Sequence, residues 1–138
     1  MNLNYTFFEQ CKKSSTKKLG DILWSYELVW NQDNITKITC TSGNYSQIYE
    51  YAYDTKMNPL YSSFMGYHDY RYGLEADTYI PWVTSKNNVI SVSFNDFEGW
   101  EYTEDYSYSY EEDYPVSYTV NGTQPMGTWS EVVYYEYK

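Results

Sequence analysis

Tyrosine at every second position, in Tyr49-Glu50-Tyr51-Ala52-Tyr53 and again in Tyr106-Ser107-Tyr108-Ser109-Tyr110, constrains this chain more than any other feature. Successive side chains on a β-strand point to opposite faces, so each run sets its rings on one face and Glu, Ala or Ser on the other. Tyrosine favours strands and buries a large ring while keeping one polar handle. With 20 tyrosines in 138 residues and few other large apolar side chains, the rings themselves must supply much of the core. The length predicts one β domain over 1–138, with an N-terminal strand and loop over 1–22 and repeated hairpins over 23–138.

Turn signals divide the chain further. Residues 3–8 read as a short strand, and the polar stretch 11–18 as a loop. Residues 23–30 and 35–41 form the arms of a hairpin around Asn31-Gln32-Asp33-Asn34. A strand over 48–53 is expected between turns at Ser42-Gly43-Asn44 and at 54–58, and residues 65–78, where alternation stops, read as a long loop. Residues 79–83 and 89–94 are expected to pair around Ser85-Lys86-Asn87-Asn88. Next come a long strand over 100–110, split near Glu104-Asp105, and another over 116–120. Asn121-Gly122 marks a hairpin turn, and 129–137 is the last strand.

An aromatic arm, an Asn/Asp turn and an arm of Ile, Val, Thr or Ser recur over 26–41, 49–61, 79–94 and 106–120. Repetition of one hairpin-sized unit predicts an all-β antiparallel meander of about eight to ten strands, curled into a barrel-like sheet.

Charge excludes one large class of function. Nine basic residues stand against nineteen acidic ones, for a formal net charge of −10. Ten of the carboxylates and a single base fall in residues 95–138, whereas the first twenty residues carry four lysines and one glutamate. Phosphate recognition needs a basic surface, so nucleic acid is not an expected partner. The acidic half reads as a solvated face that keeps a β-protein soluble and hinders edge-to-edge association. No apolar run reaches the length of a membrane helix. A lipid-facing barrel would need an apolar band where this chain places tyrosine, so no membrane-spanning segment is expected. Cys11 and Cys40 are compatible with one disulfide or with two thiols, and their spacing does not suggest zinc.

The stretch Tyr49-Glu50-Tyr51-Ala52-Tyr53-Asp54-Thr55-Lys56-Met57-Asn58-Pro59-Leu60-Tyr61, followed by Ser85-Lys86-Asn87-Asn88-Val89-Ile90-Ser91-Val92, resembles a family of exported lipoprotein domains of unknown function from gut Bacteroidetes. That family is described as having a porin-like fold, and its hairpins are similar to YD repeats. The resemblance covers the chain from about Trp24 onward and rests on strand and turn signatures. It implies an exported domain, periplasmic or on the cell surface, and it supplies no catalytic residues.

Reactive groups are sparse. His68 beside Asp69 is the one side chain suited to acid-base work at neutral pH, and no partner nucleophile stands near it in sequence. The carboxylates Glu98, Glu101, Glu104, Asp105, Glu111, Glu112 and Asp113 lack the fixed spacing of a calcium loop, so neither a metal nor another cofactor is expected. Aromatic side chains near turns are better candidates, because an exposed ring stacks on a sugar while Asn, Asp and Glu bind its hydroxyls. Trp82 and Trp100 are the first choices for ligand binding, with Tyr67 and Tyr70 in the irregular loop beside them. The expected function is a non-catalytic binding or structural module of the cell envelope, contacting a glycan or a surface protein through exposed aromatics. The alternative is a glycan-acting hydrolase using a carboxylate pair from the acidic C-terminal half, which requires two carboxylates facing each other across a cleft.

Overall fold

Turns between strands are marked by residues in the left-handed backbone region. Gln32 and Glu112 take φ of 55° at two hairpin ends and Gly43 takes 59° at a third. A computed structural model describes residues 15–19, 22–61, 81–82 and 84–137. They form β1 (Ser15–Leu19), β2 (Ile22–Asn31), β3 (Asn34–Ser42), β4 (Tyr45–Met57), β5 (Asn87–Asn95), β6 (Glu101–Glu111), β7 (Tyr114–Gln124) and β8 (Gly127–Tyr134). All belong to one antiparallel sheet in the order β1-β2-β3-β4-β5-β6-β7-β8, seven long strands with the short β1 at one edge. The all-β meander is therefore as expected. Closure into a barrel is not: among the described residues β1 pairs only with β2 and β8 only with β7, so the sheet stays open.

Register sorts the side chains into two faces, as the alternation requires. Leu28 lies opposite Ile38, Ile38 opposite Tyr49, Tyr49 opposite Phe94, and Phe94 opposite Tyr102. Tyr108 then stands opposite Tyr118. The reverse face carries Glu27, Thr39, Ser93, Thr103 and their like. Rings on the apolar face meet across strands. Phe94 lies 4.8 Å from Tyr49 and 5.0 Å from Tyr102, and Tyr118 lies 5.6 Å from Tyr106, 5.5 Å from Tyr108 and 5.9 Å from Tyr135. Such pairs contribute about 0.5–1.5 kcal/mol each beyond the area they bury.

The closest packing is under β2 to β5, where Tyr26, Leu28, Ile35, Ile38, Cys40, Tyr51, Val89 and Val92 form the buried cluster. Asn58 and Ser85, either side of the β4–β5 connection, are tied to it. Ser85 Oγ accepts from Ile35 N at 3.0 Å and donates to Tyr53 Oη at 3.0 Å, and the Tyr53 hydroxyl donates to the Ile35 carbonyl. Asn58 Nδ2 donates to the carbonyls of Trp82 and Ser85. Tyr51 differs from Tyr53: it is 6% exposed, and its hydroxyl has no hydrogen-bond partner among the described residues. A buried hydroxyl left unpaired costs about 1–3 kcal/mol, whereas a paired one is net favourable by about 1 kcal/mol. Tyr51→Phe is expected to leave stability unchanged or raise it by about 1 kcal/mol, and Tyr53→Phe to lower it by about 1–2 kcal/mol. Urea denaturation of the two variants side by side checks the contrast.

Several sequence expectations need correction. Ser15–Leu19, read as part of a loop, pairs with Ile22–Tyr26, since lysine is a common residue of edge strands. Residues 54–57, read as a turn, continue β4. The arm read over 79–83 is not a strand where it is described: Pro81, Trp82 and Thr84 lie in a helical turn, and β5 pairs with β4 instead. The strand β6 runs unbroken through Glu104-Asp105. Asn121-Gly122 lies within β7, and the turn falls at Pro125-Met126. The reason is local: the Trp129 indole occupies the space above Gly122, where an added Cβ would sit 2.1 Å from its Nε1. A strand glycine here admits a cross-strand ring and does not mark a turn. Cys40 is in the core, while residues 3–8, Cys11 and the loop 65–78 with His68 lie outside the described residues.

Candidate functional site

The polar face carries a rung of small and charged side chains running across the strands. Lys37 of β3 is opposite Glu50 of β4, which is opposite Ser93 of β5, then Thr103 of β6, then Thr123 of β7. At about 4.8 Å per strand spacing this rung spans roughly 19 Å. It forms the floor of an open groove of about 640 Å³, which Phe97, Gln124 and Pro125 also line.

Phe97 stands in the turn between β5 and β6 and is 63% exposed. Its φ is 59°, a left-handed conformation that Gly or Asn adopts with less strain than a bulky side chain. Side chains brace the turn. Asn95 Oδ1 accepts from Phe97 N at 2.6 Å, and Asp96 Oδ1 accepts from Glu98 N and Trp100 N, both at 2.9 Å. The backbone closes with Asp96 N donating to the Trp100 carbonyl at 3.1 Å. Trp100, 39% exposed, is thereby held in the same turn as Phe97, and Met126 is fully out in solvent in the turn between β7 and β8.

The sequence candidates separate on the structure. Trp100 is in the exposed turn with Phe97 but is not one of the residues that line the groove. Trp82 is half-buried on the apolar face, its ring 4.6 Å from Tyr106 in an edge-on contact, where it pins the connection between β4 and β5. The structure thus does not bring Trp82 and Trp100 into one turn. Tyr67 and Tyr70 lie outside the described residues. Sequence reading missed Phe97. Its signal was an aromatic residue within Asn95-Asp96-Phe97-Glu98-Gly99, a stretch otherwise made of turn formers.

The carboxylates proposed for a hydrolase or a calcium site are dispersed. Glu101, Asp105 and Glu111 stand along the polar face of β6, while Glu104 is on the apolar face and accepts from the Tyr106 hydroxyl. Asp113 is at the far hairpin, paired with Lys56 at 2.6 Å. Glu50 and Glu101 both line the groove, but they stand on one floor with β5 between them, about 12 Å apart on the strand lattice. Among the described residues no group of three or more His, Cys, Asp or Glu could hold a metal ion.

A second groove, of about 560 Å³, lies at the hairpin between β2 and β3. Its polar groups are occupied internally. Asn34 Nδ2 donates to Asn87 Oδ1 and Asn87 N donates to Asn34 Oδ1, while Lys86 lies 3.8 Å from Asp33. The first groove is therefore the better candidate. No helix among the described residues is long and apolar enough to cross a membrane. Comparison with protein families, with curated proteins and with solved structures finds no match to this chain.

Proposed function

We propose that this protein is a non-catalytic binding module of the cell envelope, acting outside the cytoplasm and contacting a glycan through the groove beside Phe97 and Trp100. The observation that carries this reading is the Phe97 turn. An aromatic side chain kept at positive φ, braced by Asn95 and Asp96 and left exposed, presents a ring to a partner at the expense of local stability. Beside that ring, Ser93, Asn95, Thr103 and Thr123 offer hydroxyl and amide groups suited to the hydroxyls of a neutral sugar chain. The dispersed carboxylates favour binding over hydrolysis, since glycoside cleavage needs two carboxyl groups about 5–9.5 Å apart on either side of the bond. Export and attachment as a lipoprotein rest on the resemblance of the β4 and β5 segments to the Bacteroidetes family.

A glycan array and polysaccharide pull-down, with tryptophan fluorescence to follow each hit, test this function. Saturable binding is expected, weakened at least tenfold in Phe97→Ala and in Trp100→Ala. Loss of one stacked ring at about 1–3 kcal/mol corresponds to that change. Equal binding by both variants would place the contact elsewhere, and a protein ligand retained on the same face would replace the glycan.

A further inference from the structure

The edge of β8 lacks the devices that keep sheet edges apart. Its eight residues, Gly127–Tyr134, contain no proline and no lysine, and Glu131 is their one charge. Register with β7 runs without a bulge from Ser117↔Tyr134 to Gln124↔Gly127, whereas bulges interrupt the pairings β2–β3, β4–β5 and β6–β7. Each face beside this edge carries apolar side chains open to solvent. Val132 is 51% exposed and Tyr134 76% exposed on the polar face, and Trp129 is partly exposed on the aromatic one. A straight edge of this length with a single charge is a template for strand addition.

We propose that β8 pairs with β1 of a second copy of this chain, so that the sheet continues from molecule to molecule. Topology supplies the first argument. An antiparallel meander of eight strands has β1 and β8 running in opposite directions. A second copy displaced within the plane of the sheet, without being turned over, therefore brings its β1 antiparallel to β8 and keeps aromatic face beside aromatic face. Charge supplies the second. β1 contains Lys17 and Lys18 and no carboxylate, and β8 contains Glu131 and no base. Pairing β8 with another β8 would instead set glutamate beside glutamate on neighbouring strands, which is unfavourable. An interface between two different edges is heterologous, so it builds a series and not a closed two-fold dimer.

Sedimentation velocity of the full chain over a wide concentration range tests this assembly. The wild type is expected to form species heavier than a dimer of 16.5 kDa chains as concentration rises. Val132→Lys, which charges the exposed edge, and Lys18→Pro, which removes a donor that the β1–β2 register turns away from β2, are each expected to stay monomeric. An equimolar mixture of the two is expected to form a dimer and nothing larger, because each chain retains one usable edge. Ser107→Lys, on the exposed polar face of β6 away from both edges, should assemble as the wild type does. Circular dichroism confirms that each variant is folded. A wild type that is monomeric throughout overturns the proposal. So does self-association of Lys18→Pro, which would mean β8 pairs with β8, and so does loss of assembly in Ser107→Lys.

Discussion

Raising the pH above 10 is expected to unfold this protein cooperatively, with tyrosine ionisation and loss of the sheet in a single transition. Burial pushes the phenols of Tyr51, Tyr53, Tyr106 and Tyr108 well above their ordinary value of 10.0. Neighbouring groups modify this effect: Glu104 beside Tyr106 raises it further, while the Ser85 hydroxyl bonded to Tyr53 lowers it. Tyr135 is pushed up to about 12, again by burial first and then by Tyr118. Each ring is held protonated in the fold, so its folded-state pKa exceeds its unfolded one. The stabilisation is complete below pH 10 and is lost as pH rises toward the folded-state values, because the unfolded chain binds fewer protons there.

The size of this effect follows from the number of rings. Each retained proton corresponds to about 1.4 kcal/mol per pH unit. Tyr51, Tyr53 and Tyr108 together remove about 4 kcal/mol for every unit above pH 10, against a total stability of about 5–15 kcal/mol for a domain of this kind. Unfolding is therefore expected within about one to four units above pH 10. Absorbance of tyrosinate and far-ultraviolet circular dichroism, followed together, check it. Stepwise ionisation of these rings in an intact sheet would contradict the packing described here.

Asp54→Ala is expected to destabilise the fold by about 2–4 kcal/mol, the largest effect of any single polar substitution in the described chain. Asp54 Oδ1 accepts from Lys56 N at 3.0 Å and from Asn88 N at 3.1 Å. Asn88 Nδ2 and the Tyr110 hydroxyl also donate to this carboxylate. It therefore joins β4, β5 and β6 at one point, and Asn88 is almost fully buried. Alanine takes this acceptor from Lys56 N, Asn88 N and the Tyr110 hydroxyl, whereas Asn88 Nδ2 keeps the Tyr110 oxygen, and buried orphan donors are costly. Asp54→Asn keeps one oxygen and should lose about half as much. Denaturant unfolding of the two variants checks the order.

The sheet was legible because its information is local. Alternation at 49–53 and 106–110 and turn formers at 31–34 and 42–44 each decide the conformation of the residues that carry them. Choice of partner is not local. Residues 79–83 looked like an arm for 89–94, yet β5 finds β4 across a long connection, which no short-range pattern records. Asn121-Gly122 has the composition of a hairpin turn, and its place inside β7 is decided by the Trp129 ring packed on it from another strand.

The candidate site divides in the same way. Trp100 was visible as an aromatic residue beside a turn. The groove was not, because Lys37, Glu50, Ser93, Thr103 and Thr123 come from five strands and meet only through register. Trp82 gave the same sequence signal as Trp100 and serves the packing of the apolar face.

The account divides the aromatic residues into rings that hold the sheet and rings left for a partner, and one variant carrying both Phe97→Ala and Trp100→Ala tests that division most directly. Glycan titration and thermal unfolding would be measured on the same preparation, beside the wild type. Saturable binding by the wild type, lost in the variant with an unchanged unfolding temperature, is the predicted result. Absence of binding by the wild type, binding that survives in the variant, or a marked drop in its unfolding temperature would contradict it.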